Sequence, residues 1–236
     1  MDLILHIGHS KTGSTSIQSS LVASRSSLAH NGILYYTRNG DNHMDFNTLV
    51  GRKLYELEDC ANSKKANAWK TVEKIKALAS SNEYDYILLS CEAFFYFSED
   101  ELDTVIKIFG IHFDRVCIVC YVRPPISLYL SATQQLLKRS HHILSPYTFA
   151  RNLSGIVNQW MHFVGADNFF VNAFHPKSLV NGCSISDFEA QLRSITQSDI
   201  TLKRTSRFNS SLKAEQMVLL QDFRSDFLKE FHDTHH

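Results

Sequence analysis

Five short apolar runs alternate along the sequence with longer amphipathic segments, and this alternation limits the possible folds more than any other feature. The apolar runs cover residues 3–7, 33–36, 86–89, 116–122 and 169–173. Helical periodicity covers residues 14–29, 67–81, 99–109, 126–137, 149–164, 185–195 and 213 to about 231. Strands that alternate with crossover helices form parallel sheets. The sequence therefore predicts an α/β fold of three layers, in which helices flank a central, mostly parallel sheet of about five strands.

The length and charge of the chain narrow the classes of function. A chain of 236 residues is long enough for one α/β domain, and we expect residues 1–236 to form a single domain. Lysine plus arginine and aspartate plus glutamate both number 24, so there is no global basic field to attract nucleic acid. Any anion site must therefore be local.

The cysteines and the first residues suggest a cellular location. Five cysteines make an odd number without metal-ligand spacing, and Cys117 and Cys120 lie in a predicted buried strand, where packing is their expected role. Reduced thiols are typical of the cytosol. Residues 1–6 carry an acid and no basic region, unlike a signal peptide, and no apolar run approaches the roughly 20 residues that span a bilayer. We expect a soluble cytoplasmic protein without an integral membrane segment.

A phosphate-binding loop is indicated where the first apolar run ends. Residues 8–16 read Gly-His-Ser-Lys-Thr-Gly-Ser-Thr-Ser, and a helical pattern follows. Backbone N–H groups at a helix start are unpaired, and the helix dipole favours an anion there. The two glycines let the backbone approach a ligand, the hydroxyls donate hydrogen bonds and the lysine adds a charge. The candidate anion-binding residues are Lys11, Thr12, Gly13, Ser14, Thr15 and Ser16.

The order of these residues distinguishes two nucleotide-binding families. In the Walker A pattern of nucleotide triphosphatases the lysine directly follows the second glycine, whereas Lys11 comes two residues before Gly13. The order Lys-Thr-Gly-Ser-Thr instead resembles the 5′-phosphosulfate loop of sulfotransferases that use 3′-phosphoadenosine 5′-phosphosulfate (PAPS). The alternative without function is a generic helix start, rich in glycine and serine and capped by Ser14.

Arg123 follows the fourth apolar run, and Ser131 comes eight residues later. Pro124 and Pro125 end the strand and begin a helix, which places Arg123 at the carboxyl end of a strand, where open α/β sheets bind ligands. A guanidinium and a hydroxyl that converge there can hold one phosphate. The pair resembles the 3′-phosphate site of the same sulfotransferases. That family resemblance implies a fold like that of the P-loop NTPases.

A third resemblance precedes the last predicted helix. Residues 204–212 read Arg-Thr-Ser-Arg-Phe-Asn-Ser-Ser-Leu, which is similar to the segment that closes over the nucleotide in bacterial sulfotransferases. The resemblance implies that Arg204, Arg207 and Asn209 contact the nucleotide. An N-capped helix start with incidental basic residues is the alternative.

The resemblance also implies a mechanism. PAPS would be the co-substrate, and Lys11 would stabilise its bridging oxygen as the sulfuryl group leaves, giving adenosine 3′,5′-bisphosphate (PAP). The sulfuryl group carries a single negative charge, so a lysine and backbone donors can suffice without a metal ion. The third apolar run agrees with this expectation, since it ends in Ser-Cys-Glu rather than in an aspartate suited to hold a metal.

A base must take the proton of the acceptor hydroxyl or amine, and two residues are candidates. Members of the family use a histidine or a glutamate at the carboxyl end of a sheet strand. Glu92 follows the third predicted strand directly, although a helix-capping or ion-pairing role is an alternative for it. His43 lies in residues 37–63, a polar stretch typical of a long functional loop. The sequence leaves the choice between them open.

The acceptor and two competing functions also stay open. Residues 37–63 and 136–147 are expected to shape the acceptor pocket, and their Tyr, His, Asn and Asp content suits a polar acceptor such as a carbohydrate hydroxyl. One competing function is a small-molecule kinase that uses Mg-ATP. The other is a sulfotransferase-like protein that binds a nucleotide or a glycan without turnover.

Overall fold

Five parallel strands form one sheet in the order β2-β3-β1-β4-β5. In the computed structural model, the described residues are 1–9, 11–52, 58–81, 83–137, 140, 143–147, 149, 152–204 and 214–227. The strands are β1 (Asp2–Gly8), β2 (Ile33–Leu34), β3 (Tyr86–Ser90), β4 (Val116–Val122) and β5 (Phe169–Ala173). Strand β1 is central, with Leu3 opposite both Ile87 of β3 and Val116 of β4. The predicted parallel sheet of about five strands is confirmed.

Eight α-helices connect or follow these strands in the described ranges. They are α1 (Ser14–Ala23), α2 (Arg25–His30), α3 (Glu58–Ala79), α4 (Glu99–Ile108), α5 (Pro125–Leu137), α6 (Leu153–Val164), α7 (Ser184–Thr196) and α8 (Ala214–Phe227). Short 3₁₀ helices cover Met44–Val50, Glu92–Tyr96, Ala166–Asn168 and Val180–Gly182. None of the helices in the described part of the chain is long and apolar enough to cross a membrane.

Apolar side chains pack on both faces of the sheet. Alternate residues of β1 point to opposite faces, so Leu3 and Leu5 belong to one apolar cluster and Ile4 to the other. The first cluster contains residues of α3, α4 and α6, and the second contains residues of α1, α2 and α7. Strands covered on both faces are typical of parallel sheets, and the three-layer architecture is confirmed.

The second strand is shorter than its apolar run. Only Ile33 and Leu34 pair with β3, although the sequence predicts a strand over residues 33–36. The next two residues leave the sheet, because the Tyr35 hydroxyl donates to the carbonyl of Asp41 and the Tyr36 carbonyl meets the ring of His43. These contacts fold the following loop back over the end of the sheet.

Three of the predicted helices have other bounds in the structure. Helix α6 begins at Leu153, four residues after the predicted start at 149, where Asn152 Oδ1 accepts a hydrogen bond from the N–H of Gly155. Helix α3 begins at Glu58, nine residues before the predicted start, because residues 61–66 are largely exposed and so carry no apolar period. The predicted loop over residues 37–63 is therefore shorter, and it contains the 3₁₀ helix Met44–Val50. The helix predicted over residues 14–29 is broken at Ser24, whose hydroxyl accepts a hydrogen bond from the backbone of Lys203.

Candidate functional site

Residue 9 and residues 11–16, called the cradle below, lie between the end of β1 and the first turn of α1. Lys11 and Gly13 both adopt left-handed backbone conformations, with φ of 68° and 76°. A Cβ atom at position 13 would lie 2.7 Å from the ring of Phe174. Position 13 therefore requires glycine for two reasons, the left-handed backbone and the lack of space for a side chain. Helix α1 begins directly after Gly13, so the loop ends at a helix N-terminus, where unpaired backbone N–H groups can bind an anion.

Hydrogen bonds fix the shape of this cradle. The buried hydroxyl of Thr12 donates to the carbonyl of His9 at 2.6 Å. The backbone N–H of His9 donates to the carbonyl of Tyr121 in β4 at 3.0 Å, and its ring Nε2 shares a hydrogen bond of 2.9 Å with the Tyr96 hydroxyl. The cradle is therefore hydrogen-bonded to β4 and to the 3₁₀ helix that follows β3.

Arg123 places a cation beside the cradle. Its Nη1 donates to the carbonyl of Lys11 at 2.8 Å, and its Nε donates to the hydroxyl of Ser127 at 3.2 Å. Its guanidinium carbon lies 5.7 Å from the ring centre of Phe174. Burial lowers the pKa of Arg123. No carboxylate forms an ion pair with Arg123 within the described ranges, so this partly desolvated cation lacks an anionic partner there.

Helix α5 presents a polar stripe to the cradle. Ser127, Ser131 and Gln135 lie four residues apart, which places them on one helix face. Ser127 contacts Arg123 at one end of the stripe, and Gln135 Oε1 accepts a hydrogen bond of 2.8 Å from Lys11 Nζ at the other. Ser131 is half-buried between these two contacts. In the conformation described, Arg123 therefore bonds to Ser127, while Ser131 stays on the face turned towards the cradle.

Glu92 reaches the cradle from the neighbouring strand. It begins the 3₁₀ helix that follows β3, it is half-buried, and its carboxylate accepts a hydrogen bond from the buried hydroxyl of Ser14. Thr15 is exposed and Ser16 half-buried on the same first turn of α1. A carboxylate, several hydroxyls, an ammonium and a guanidinium thus converge at the carboxyl ends of β1, β3 and β4.

His43 occupies a different setting from Glu92. It is 2 % exposed, the N–H of Ser90 donates to its Nδ1 at 3.1 Å, and its Nε2 donates to the carbonyl of Tyr36 at 2.9 Å. Burial lowers its pKa to about 4. The ring is therefore neutral near pH 7, with both nitrogens engaged by backbone groups.

The remaining candidates lie further along the chain. Arg204 lies 3.3 Å from the Glu189 carboxylate of α7, which also accepts a hydrogen bond from the N–H of Leu202. Arg207 and Asn209 lie outside the described residues. The structure thus brings together Lys11, Gly13, Ser14, Glu92 and Arg123, with Ser131 beside them. Arg204 is engaged with α7 instead.

Sequence reasoning missed two residues of this site. Gln135 carried a usable signal, because it lies four residues after Ser131 on the same helix face. Phe174 carried none, since it directly follows β5 and a single aromatic residue after a strand has no distinctive pattern. Its ring nevertheless packs against both Gly13 and Arg123.

Comparison with known proteins yields resemblance at the level of structure alone. No protein-family model matches the sequence, and no curated protein matches it. Among solved structures, the sulfotransferase domain from the curacin biosynthetic pathway is similar with 12% identity and a TM-score of 0.44, covering 83% of this chain and 74% of that one. The sulfotransferase domain from the Synechococcus PCC 7002 olefin synthase is similar with 16% identity and a TM-score of 0.42, covering 95% and 94%.

Proposed function

We propose that this chain binds PAPS and transfers its sulfuryl group to a hydroxyl or amine of an acceptor. The observation that carries the proposal is Arg123, a partly desolvated cation held against the Lys11 carbonyl and without a carboxylate partner in the described ranges. An unpaired cation next to a phosphate cradle favours a ligand with two separate anionic groups. PAPS has that form, with a 5′-phosphosulfate and a 3′-phosphate.

The donor would bind across the ends of three strands. The cradle residues 11–16 would hold the 5′-phosphosulfate through backbone N–H groups, hydroxyls and the Lys11 ammonium. Arg123 and Ser131 would hold the 3′-phosphate, which the planar guanidinium can meet with two parallel hydrogen bonds. Arg204, Arg207 and Asn209 stay candidates for contact with the nucleotide.

Transfer breaks one sulfur–oxygen bond of the donor and forms a bond from sulfur to the oxygen or nitrogen of the acceptor, whose proton passes to the base. The acceptor oxygen or nitrogen attacks sulfur, the bond from sulfur to the 5′-phosphate oxygen breaks, and PAP leaves. Lys11 would stabilise the charge that develops on that oxygen. Glu92 is the better of the two candidate bases, because its carboxylate contacts the cradle at Ser14, whereas both ring nitrogens of His43 are held by backbone groups.

Calorimetric titration with PAP tests the donor site without knowledge of the acceptor. We expect metal-independent binding that weakens about 100-fold in Arg123→Ala, which loses charge-assisted hydrogen bonds to the 3′-phosphate. Glu92→Gln should bind PAP at least as tightly as wild type, since it removes a negative charge from the cradle. Arg38→Ala removes one positive charge from an exposed loop position and should bind as wild type does.

Two titrations run in parallel can contradict the proposal. Adenosine 5′-monophosphate lacks the 3′-phosphate, so equal affinity for it and for PAP would remove the role given to Arg123. A preference for Mg-ATP would favour a small-molecule kinase instead.

A further inference from the structure

Lys11 is held at both ends by the unit formed from β4 and α5. Its carbonyl accepts a hydrogen bond of 2.8 Å from Arg123, at the end of β4. Its ammonium donates a hydrogen bond of 2.8 Å to Gln135 Oε1, three turns along α5. The loop residue that would meet the leaving oxygen is therefore connected to the same helix that carries the proposed 3′-phosphate site.

The chemistry of Gln135 suits a ligand site that must stay positive. A lysine ammonium has three N–H donors, and a hydrogen bond to an amide oxygen occupies one of them. An amide oxygen is neutral and leaves the full charge of the lysine in place, whereas a carboxylate would cancel it. The lysine side chain is otherwise flexible, and a fixed acceptor limits the directions that its ammonium can take.

We propose that Gln135 is a positioning residue that directs the Lys11 ammonium into the cradle and preserves its charge for the donor. The inference rests on the proposed function and extends it to a residue of α5 with no assigned role. Gln135 acts through Lys11 and need not touch the reacting atoms. Because Gln135 shares a helix face with Ser127 and Ser131, one element would set both ends of the donor site.

Substitution of two neighbouring glutamines provides a matched test. Gln135→Glu puts a carboxylate on Lys11, so we expect PAP affinity to fall at least about 10-fold in calorimetric titration. Gln134→Glu adds the same charge on the same helix, from a half-buried side chain without a hydrogen bond among the described residues, and should change the affinity less than about threefold. Gln135→Leu removes the hydrogen-bond acceptor without adding charge, and its affinity for PAP should lie between those of Gln135→Glu and Gln134→Glu. Thermal unfolding of each variant shows that the comparison is made on folded protein.

A double-mutant cycle separates positioning from a general effect on the helix. If Gln135 acts through Lys11, the difference between Gln135→Glu and Gln134→Glu should shrink below about threefold once Lys11→Met is introduced. An undiminished difference, or equal effects of the two substitutions in the wild-type background, overturns the role of Gln135. If the wild-type chain binds no PAP, both the proposed function and this inference are overturned. If the wild-type chain binds PAP but substitution of Gln135 leaves the affinity unchanged, the inference alone is overturned.

Discussion

Two buried histidines converge on Ser90, the last residue of β3 and the second before Glu92. His43 contacts the backbone of Ser90, and His6 Nδ1 lies 2.7 Å from its hydroxyl. The same hydroxyl accepts a hydrogen bond of 3.1 Å from Gln18 in α1. Burial lowers the pKa of His6 to about 3 and that of His43 to about 4. Both rings are therefore neutral supports beneath the strand end that carries the candidate base.

These histidines make stability depend on pH. Both pKa values are lower in the folded state than the ordinary 6.5, so the unfolded chain binds more protons and stability rises with pH above the folded values. Between pH 6.5 and 5, each should subtract about 1.5 kcal/mol from the free energy of unfolding as the pH falls. Urea unfolding at both pH values should show that His43→Gln loses about half of this change. An unaltered pH dependence in that variant would contradict the burial of a neutral His43.

Residues fixed by backbone requirements were the easiest to predict from sequence. The motif of the proposed phosphate loop points to Lys11 and Gly13, because such a loop needs lysine and glycine at set spacing, and Arg123 stands out because it directly follows a strand. The choice between Glu92 and His43 was not visible, because both follow strands. The preference for Glu92 in the proposed function comes from the backbone contacts of the buried His43 ring, and those contacts are a property of tertiary packing.

The turn from β1 to α1 is the element on which the site depends most. Gly13 is its last residue before the helix, with φ of 76° and ψ of 9°. Gly51 follows the 3₁₀ helix Met44–Val50 with nearly the same backbone angles, φ of 74° and ψ of 9°. A Cβ atom at Gly51 would meet no atom of the described residues within 4 Å, but at Gly13 it would meet Phe174 and Ser184. The two glycines thus separate backbone strain from steric clash.

Alanine substitution at the two glycines should have unequal effects. Gly51→Ala should cost about 1 kcal/mol of unfolding free energy, from backbone strain alone. Gly13→Ala should cost about 1–3 kcal/mol more, because the added methyl group displaces Phe174, and it should also weaken PAP binding. Denaturant unfolding and calorimetric titration of both variants make the comparison. Equal losses of unfolding free energy would show that the Phe174 ring moves aside without an energetic penalty.

Elements with an apolar period were predicted well, and those without one were not. All five strands lie where the apolar runs are. For β1, β3 and β4 the reason is that a strand buried on both faces is apolar nearly throughout, whereas the edge strand β5 is partly exposed. The sequence does not show the start of α3 because residues 61–66 are largely exposed and carry no apolar period. The break at Ser24 was missed because it accompanies a contact with Lys203, which lies 179 residues away.

Across the whole molecule, Trp160 links the helical layer to the site. It is fully buried in the cluster on the face of α3, α4 and α6. Its indole Nε1 donates to the carbonyl of Phe95 at 3.2 Å, within the 3₁₀ helix that begins at Glu92. Packing on one face of the sheet therefore supports the position of the candidate base.

The two tryptophans of the chain offer a matched comparison of this packing. Trp160→Ala should lower the free energy of unfolding by about 3–5 kcal/mol, because it leaves a large cavity and an unpaired carbonyl. Trp69 in α3 is 42% exposed, so Trp69→Ala should cost less than about 1 kcal/mol. Urea unfolding measures both, and similar losses would contradict the central place given to Trp160.

The central position of β1 also has a consequence for the order of assembly. Asp2 pairs with Tyr86 and Leu3 pairs with Val116. Strand β1 can therefore join the sheet only after residues 84 and 113 positions further along the chain have come into contact with it. Closing such long loops is slow, and parallel sheets depend on it. During synthesis, residues 11–16 are made before Glu92, Arg123 and Gln135, the side chains that shape their loop. The proposed affinity for an anion would thus appear late in folding, and a nascent chain would carry the loop sequence long before the loop took its folded shape.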